Sequence, residues 1–177
     1  MNNKQSIAYV ICGFIGAGKT TFARKLEKET EAIRVTKDEW IIKIFGNKIT
    51  SDKNFERYDK NITKLATDIA FKILKAGKDV IIDEGFWVKS QRDDIKKKIL
   101  QVGAKPIFYY VESSVEKMKE RVINRSKSPT ADSFEINEEM FDSYLKYWQA
   151  PDESEDVIVI RGPFPSLVGR DCPRGGA

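Results

Sequence analysis

The chain's 177 residues suffice for one domain with a full hydrophobic core, and its 31 basic and 27 acidic residues leave a net charge of +4. That balance is too mild to mark a nucleic-acid surface, and no run approaches the roughly 20 apolar residues of a membrane span. Met1-Asn2-Asn3-Lys4-Gln5-Ser6 lacks the apolar stretch of a signal peptide, and two cysteines, Cys12 and Cys172, make no disulfide framework, so a reducing cytoplasm is expected.

Ile7-Ala8-Tyr9-Val10-Ile11-Cys12 is continuously apolar, the pattern of a parallel strand buried on both faces. A helix over Thr21 to Lys28 sets Phe22 and Leu26 on one side. Ala32 to Val35 predicts a short second strand, and a helix through Ile41, Ile42 and Phe45 stops at Gly46. Asn47 to Asn54 is polar and reads as a loop. Ile62, Leu65, Ala66, Ile69, Ala70, Ile73 and Leu74 form a 3.6-residue stripe on a long helix that stops at Gly77. Asp79 to Asp83 is a third strand. Ser90 with Asp93 can open the next helix, which packs Ile95, Ile99 and Leu100 before Gly103. Ile107 to Val111 predicts a fourth strand, and Ser113 to Glu116 a capping box for a helix carrying Met118 and Val122. After a polar stretch from Ser126 to Ser133, Met140, Tyr144, Leu145 and Trp148 stripe another helix, and Val157 to Ile160 is a fifth strand. Alternating strands and helices without an internal repeat predict an α/β fold of three layers, with a five-stranded, mostly parallel sheet covered on both faces. One domain would span 1–161, with a small helical lid over about 121–137. Residues 162–177, rich in Gly, Pro and Arg, read as a disordered or appended tail.

Gly13 to Thr20 spell G-x-x-x-x-G-K-T directly after the first strand and at the start of a helix, the context in which this motif is a P-loop (Walker A). Its glycines let backbone N–H groups curl around phosphate oxygens, and the helix aims its positive end at them. Gly13, Gly16, Ala17, Gly18, Lys19, Thr20 and Thr21 would thus bind a nucleoside triphosphate. Lys19 would reach its β- and γ-phosphates, and the Thr20 hydroxyl would ligate Mg²⁺. ATP is the expected nucleotide, because no N-K-x-D guanine-reading motif is present.

Three further groups bear on the chemistry. Asp83 ends a buried strand at the rim where ligands collect in open α/β sheets, and can hold the Mg²⁺ shell as a Walker B aspartate. Glu84 beside it either polarises an attacking water or only shapes the loop Gly85-Phe86-Trp87. The chain has no histidine, so a general base falls to Asp or Glu. Asp38 and Glu39, after the second strand, are the natural applicants, although Asp38 serves equally well as a helix N-cap. Arg121 and Arg125, four apart on one helix face, either close over a triphosphate or form a solvated basic face.

Together these segments resemble the P-loop kinases that include polynucleotide 5′-kinase, chloramphenicol phosphotransferase and the zeta toxins. The resemblance spans roughly residues 6 to 160. It is carried by Gly13 to Thr21, by Lys37-Asp38-Glu39, by Gly77 to Phe86, and by the spacing of Arg121 and Arg125. It implies the three-layer P-loop NTPase fold with ATP and Mg²⁺ as cofactors. It also implies transfer of the γ-phosphoryl to an acceptor hydroxyl, with Asp38 as base and Lys19, Arg121 and Arg125 stabilising the transferring group. The acceptor would be a small molecule or a nucleotide. A nucleic acid stays open although charge does not point to it, and no membrane partner is expected. Trp40, Tyr58, Phe86 and Trp87 offer an apolar wall for an acceptor or ordinary packing, and Gln91 and Arg92 either contact it or solvate a helix end. Two other classes remain: an ATPase working through Asp83 and Glu84, and a regulatory module that binds nucleotide without turnover.

Overall fold

The computed structural model describes residues 5–127 and 133–164. Five strands, β1 (Ile7–Cys12), β2 (Ile33–Val35), β3 (Val80–Gly85), β4 (Lys105–Glu112) and β5 (Val157–Arg161), form one sheet in the order β2-β3-β1-β4-β5. Every neighbouring pair is parallel. Between them run α1 (Lys19–Thr30), α2 (Lys37–Phe45), α3 (Phe55–Lys75), α4 (Lys89–Gln101), α5 (Val115–Lys127) and α6 (Glu138–Leu145). The predicted α/β fold of three layers is therefore the observed one.

The unbroken apolar run of β1 is explained by the layers on either side of it. Tyr9 and Ile11 point to one face, where Phe22 and Leu26 of α1, Met118 and Val122 of α5, and Phe141 of α6 cover them. Ala8, Val10 and Cys12 point to the other, against Ala66, Ala70 and Leu74 of α3 and Ile95 and Ile99 of α4. At roughly 25 cal/mol per Å² of apolar surface, burial of this kind on both faces is the main favourable term in the fold. From the adjacent β1 and β4 the chain departs toward opposite edges of the sheet, which opens a crevice beyond their carboxyl ends.

One irregularity positions chemistry. Ile11 pairs with Asp83 but Cys12 pairs with Gly85, so Glu84 is the extra residue of a bulge at the end of β3. Bulges re-aim side chains at sheet rims, and this one turns Glu84 to the crevice beside the buried Asp83.

Several boundaries differ from expectation for identifiable reasons. The buried stripe of α3 is Ile62, Ala66, Ala70 and Leu74, a strict i,i+4 line, and Leu65 lies off it and is exposed. Leu100 of α4 is exposed likewise. The loop expected over 47–54 contains a short 3₁₀ turn, Ile49–Ser51. Helix α4 opens from Val88, not Ser90, because the Gln91 side chain accepts the Val88 N–H at 3.3 Å. At α5 Ser114, one residue after Ser113, accepts the Lys117 N–H. Helix α5 absorbs Ser126 and Lys127, and the Ser126 hydroxyl bonds both N and O of Ile136 at 3.0 Å, pinching together the ends of the expected lid. Part of that lid lies outside the described residues, as does the expected tail beyond Phe164. Gly162 to Phe164 are described, and Phe164 packs edge-on against Phe22. No helix among the described residues is long and apolar enough to cross a membrane.

Candidate functional site

A cleft of about 850 Å³ opens over the carboxyl ends of the strands. Its floor is the loop from β1 into α1. Gly13 N–H donates to Gly85 O at 3.0 Å, tying this loop to the end of β3. Gly16 has φ +80°, and a Cβ there would lie 2.5 Å from the Met118 carbonyl oxygen, so only glycine lets the loop pass under α5. Helix α1 starts from Gly18 with no side-chain cap and no acidic residue in its first turn. Its leading N–H groups are left for an anion.

Lys19 folds back over this loop and donates to Phe14 O at 3.0 Å. Burial pulls its pKa down, while Asp83 and Asp38 pull it back up. Asp83 is 4% exposed, and the Thr20 hydroxyl lies close enough to favour its charged form. Burial raises its carboxyl to about 6, with Lys19 opposing and Asp38 adding to the rise. Its Oδ2 is buried without a hydrogen-bond partner, and the nearest cation, Arg34 Nη1, stands 3.8 Å away. A buried oxygen left open beside a threonine hydroxyl fits a divalent cation. No cluster of three metal-ligating side chains exists among the described residues. Mg²⁺ would therefore take Thr20 and Asp83 and complete its shell with phosphate and water oxygens, as this ion ordinarily does.

Asp38 lies in the first turn of α2, one residue inside the helix, and Thr36 occupies the cap position. The N-cap reading of Asp38 is thereby excluded. Burial raises its pKa against the pull of Lys37 and Lys19, and Arg125 of α5 acts on it as well. Glu39, the rival base, is committed elsewhere: Arg24 and Arg34 reach its Oε1 at 2.9 and 3.0 Å, and together they outweigh burial and hold it low. Both expected lid arginines line the cleft. Arg121 Nη1 donates to Gly16 O at 3.2 Å, gripping the phosphate-cradle backbone, while Arg125 faces Asp38 and Lys19.

The structure adds residues that sequence reasoning missed or misplaced. Asp59 of α3 accepts from Lys37 Nζ at 2.6 Å, with Glu84 Oε1 3.8 Å from the same nitrogen. No motif spacing could have found Asp59, since α3 meets α2 only through the fold. Arg92 is no acceptor contact. It is 2% exposed, clamps Glu155 through two bonds of 2.6 and 2.8 Å, and donates from Nη1 to Phe86 O and Gln149 O. Of the four aromatics considered, Phe86 and Trp87 line the cleft. Tyr58 stacks on Phe45, and Trp40 packs into the core.

Comparison with known proteins agrees with this architecture. A family model described as AAA domain matches residues 9–151. Kti12 from Chaetomium thermophilum, solved in complex with ADP-AlF3, superposes with a TM-score of 0.69 at 17% identity, covering 88% of this chain and 89% of that one. A gluconokinase from Sinorhizobium meliloti 1021 gives 0.60 at 13%, over 93% and 86% of the two chains. A chain of the Pnkp1/Rnl/Hen1 RNA repair complex gives 0.65 at 23%, over 81% of this chain and 44% of that one. No curated protein matches the sequence. At such identities the likeness speaks for the fold, and the family match speaks for descent. The chain belongs to the AAA domain family and carries the ATP-binding P-loop kinase fold.

Proposed function

We propose that the protein is an ATP-dependent phosphotransferase that moves the γ-phosphoryl group to a hydroxyl of a small molecule or nucleotide. The observation that carries this reading is the meeting of Asp38 and Lys19 in one cleft, each shifting the other's pKa. A base close to the phosphate-binding lysine is what hydroxyl phosphorylation requires. Glu84, the residue an ATPase would use to activate water, lies 3.8 Å from Lys37 Nζ.

The residues divide the work. The cradle of Gly13, Gly16, Ala17 and Gly18, with the N–H groups of Thr20 and Thr21, fixes the phosphate chain. Lys19 and Arg125 place positive charge on the transferring group, and Arg121 holds the cradle's carbonyls away from it. Thr20 and Asp83 would hold Mg²⁺, which would supply charge neutralisation to the nucleotide's phosphates. Asp38 accepts the proton of the acceptor hydroxyl. Burial raises its pKa, which makes the carboxylate a stronger base than one in water.

Labelled ATP offered to sugars, nucleosides, short oligonucleotides and amino alcohols identifies the acceptor class. Asp38→Asn should then cut transfer by roughly 10²-fold or more with nucleotide binding retained, and Glu84→Gln should do less. The opposite ranking, an ATP-trapping Glu84→Gln beside an active Asp38→Asn, refutes the phosphotransferase reading in favour of ATP hydrolysis.

A further inference from the structure

The cleft is electrically divided. Its cradle end carries Lys19, Arg121 and Arg125, the cations suited to a triphosphate. The opposite end, beyond Asp38, is walled by α3, the loop after β3, and α4. There the lining carboxylates are Asp59, Glu84 and Asp94, against two ammonium groups, Lys37 and Lys98. Both cations are already engaged at short range: Lys37 Nζ lies 2.6 Å from Asp59 Oδ1, and Lys98 Nζ lies 2.6 Å from Asp94 Oδ2. Arg92, the nearest guanidinium on α4, is buried and spent on Glu155 and two carbonyls. Among the described residues that line this end, no cation stands without a carboxylate partner.

A phosphate-bearing acceptor needs free arginine or lysine donors, and would here meet surplus carboxylates instead. The same end has large apolar faces. Phe55, Phe86, Trp87 and Tyr144 line it, and Trp87 is braced against Phe14 and Tyr144 with ring centroids at 5.3 and 5.6 Å. The Thr63 hydroxyl, in the α3 wall, turns toward the Glu84 carboxylate. The wall thus offers carboxylates in excess and aromatic faces.

We propose that this end of the cleft receives a hydroxyl-bearing small molecule that carries an amine and no phosphate, its amine sharing the Asp59 and Glu84 carboxylates with Lys37 and its apolar face laid on Trp87. The assignment rests on the phosphotransferase reading and names the chemical class of its acceptor. It excludes nucleic acids and sugar phosphates. The charge division serves order as well as selection, since the triphosphate is drawn to one end and an ammonium to the other.

The test is calorimetric titration of the protein saturated with Mg²⁺ and a non-hydrolysable ATP analogue. The probes are kanamycin, puromycin and phenylethanolamine, set against glucose 6-phosphate and a short 5′-hydroxyl oligothymidylate. At least one amine probe should bind more tightly than either phosphate probe, and its binding should weaken as salt is raised. Asp59→Asn should weaken it about tenfold, the loss of one close charge contact. Asp59→Lys should reverse the preference toward the phosphate probes. A cooperative melting transition in both variants confirms that they fold. Tighter binding of a phosphate probe, failure of every amine probe, or unchanged affinity in Asp59→Asn overturns the assignment. The two readings fail separately. Label transfer to a phosphate-bearing acceptor sinks the amine subsite and leaves the phosphotransferase standing. Amine binding without any label transfer does the reverse.

Discussion

Replacing Arg92 by methionine should destabilise the protein by about 4 kcal/mol, within the range for breaking a buried ion pair by removing one partner. The magnitude follows from what the guanidinium does. It is 2% exposed and makes two bonds to the Glu155 carboxylate, whose side chain is 7% exposed, and two more to the carbonyls of Phe86 and Gln149. Methionine keeps most of the volume, so the cost is electrostatic: a largely buried carboxylate left with only Lys89, 3.8 Å away, and two carbonyls without donors. For a chain of this size, about 4 kcal/mol lowers the melting temperature by roughly 8–16 °C. The double variant Arg92→Met/Glu155→Met removes the stranded charge and should recover about half the loss, because an apolar replacement of a buried pair is often near neutral. Urea unfolding of the wild type, both singles and the double yields the coupling energy. A single-variant cost below about 1 kcal/mol, or a double variant no better than Arg92→Met, would refute the clamp.

Other consequences are open to direct measurement. Gly16→Ala, at φ +80° with its new Cβ 2.5 Å from the Met118 carbonyl, should cost about 2 kcal/mol and weaken nucleotide binding; a neutral melt in urea would count against the fit. Mg-ATP at 100 times its Kd should add about 2.7 kcal/mol of stability, and Lys19→Ala should lose most of the resulting melting shift; equal shifts in both proteins would remove Lys19 from the phosphate site. Arg92, outweighing burial, holds the Glu155 pKa below the usual carboxylate range. Stability from that pair is present above about pH 4.3 and lost as pH falls through the depressed folded value, so Glu155→Gln should flatten the acid limb of a melting-temperature profile. An unchanged acid limb would mean that Glu155 does not titrate with unfolding.

The parts legible in sequence were those whose signal is local. The run from Ile7 to Cys12 reads as a buried strand because two layers cover it, and the P-loop glycines announce backbone that a Cβ would block. Asp83 was readable as a strand-end carboxylate, but the bulge that exposes Glu84 beside it was not, because register belongs to the pair of strands. Asp59 and the Arg92–Glu155 pair were illegible for the same reason. Their partners lie 22 and 63 residues away, and only the folded arrangement decides that Lys37 turns toward α3 or that Arg92 turns inward. Leu65 looked like core because it is apolar and nearly in phase, yet α3 buries a line too narrow to include it.

The packing around Phe14 gives the molecule a built-in optical reporter. This ring rides on the nucleotide loop and touches two of the chain's three indoles, Trp87 at 5.3 Å and Trp148 at 5.8 Å between centroids. Any shift of the loop on occupancy changes the contacts of both, and so their emission. The third indole, Trp40, sits apart, half-buried against the core, and contributes a separate background. Because Trp87 also borders the opposite end of the cleft while Trp148 meets Tyr110 behind it, single Trp→Phe replacements would separate the two signals. Loading of each end of the cleft could then be followed in unlabelled protein, in real time.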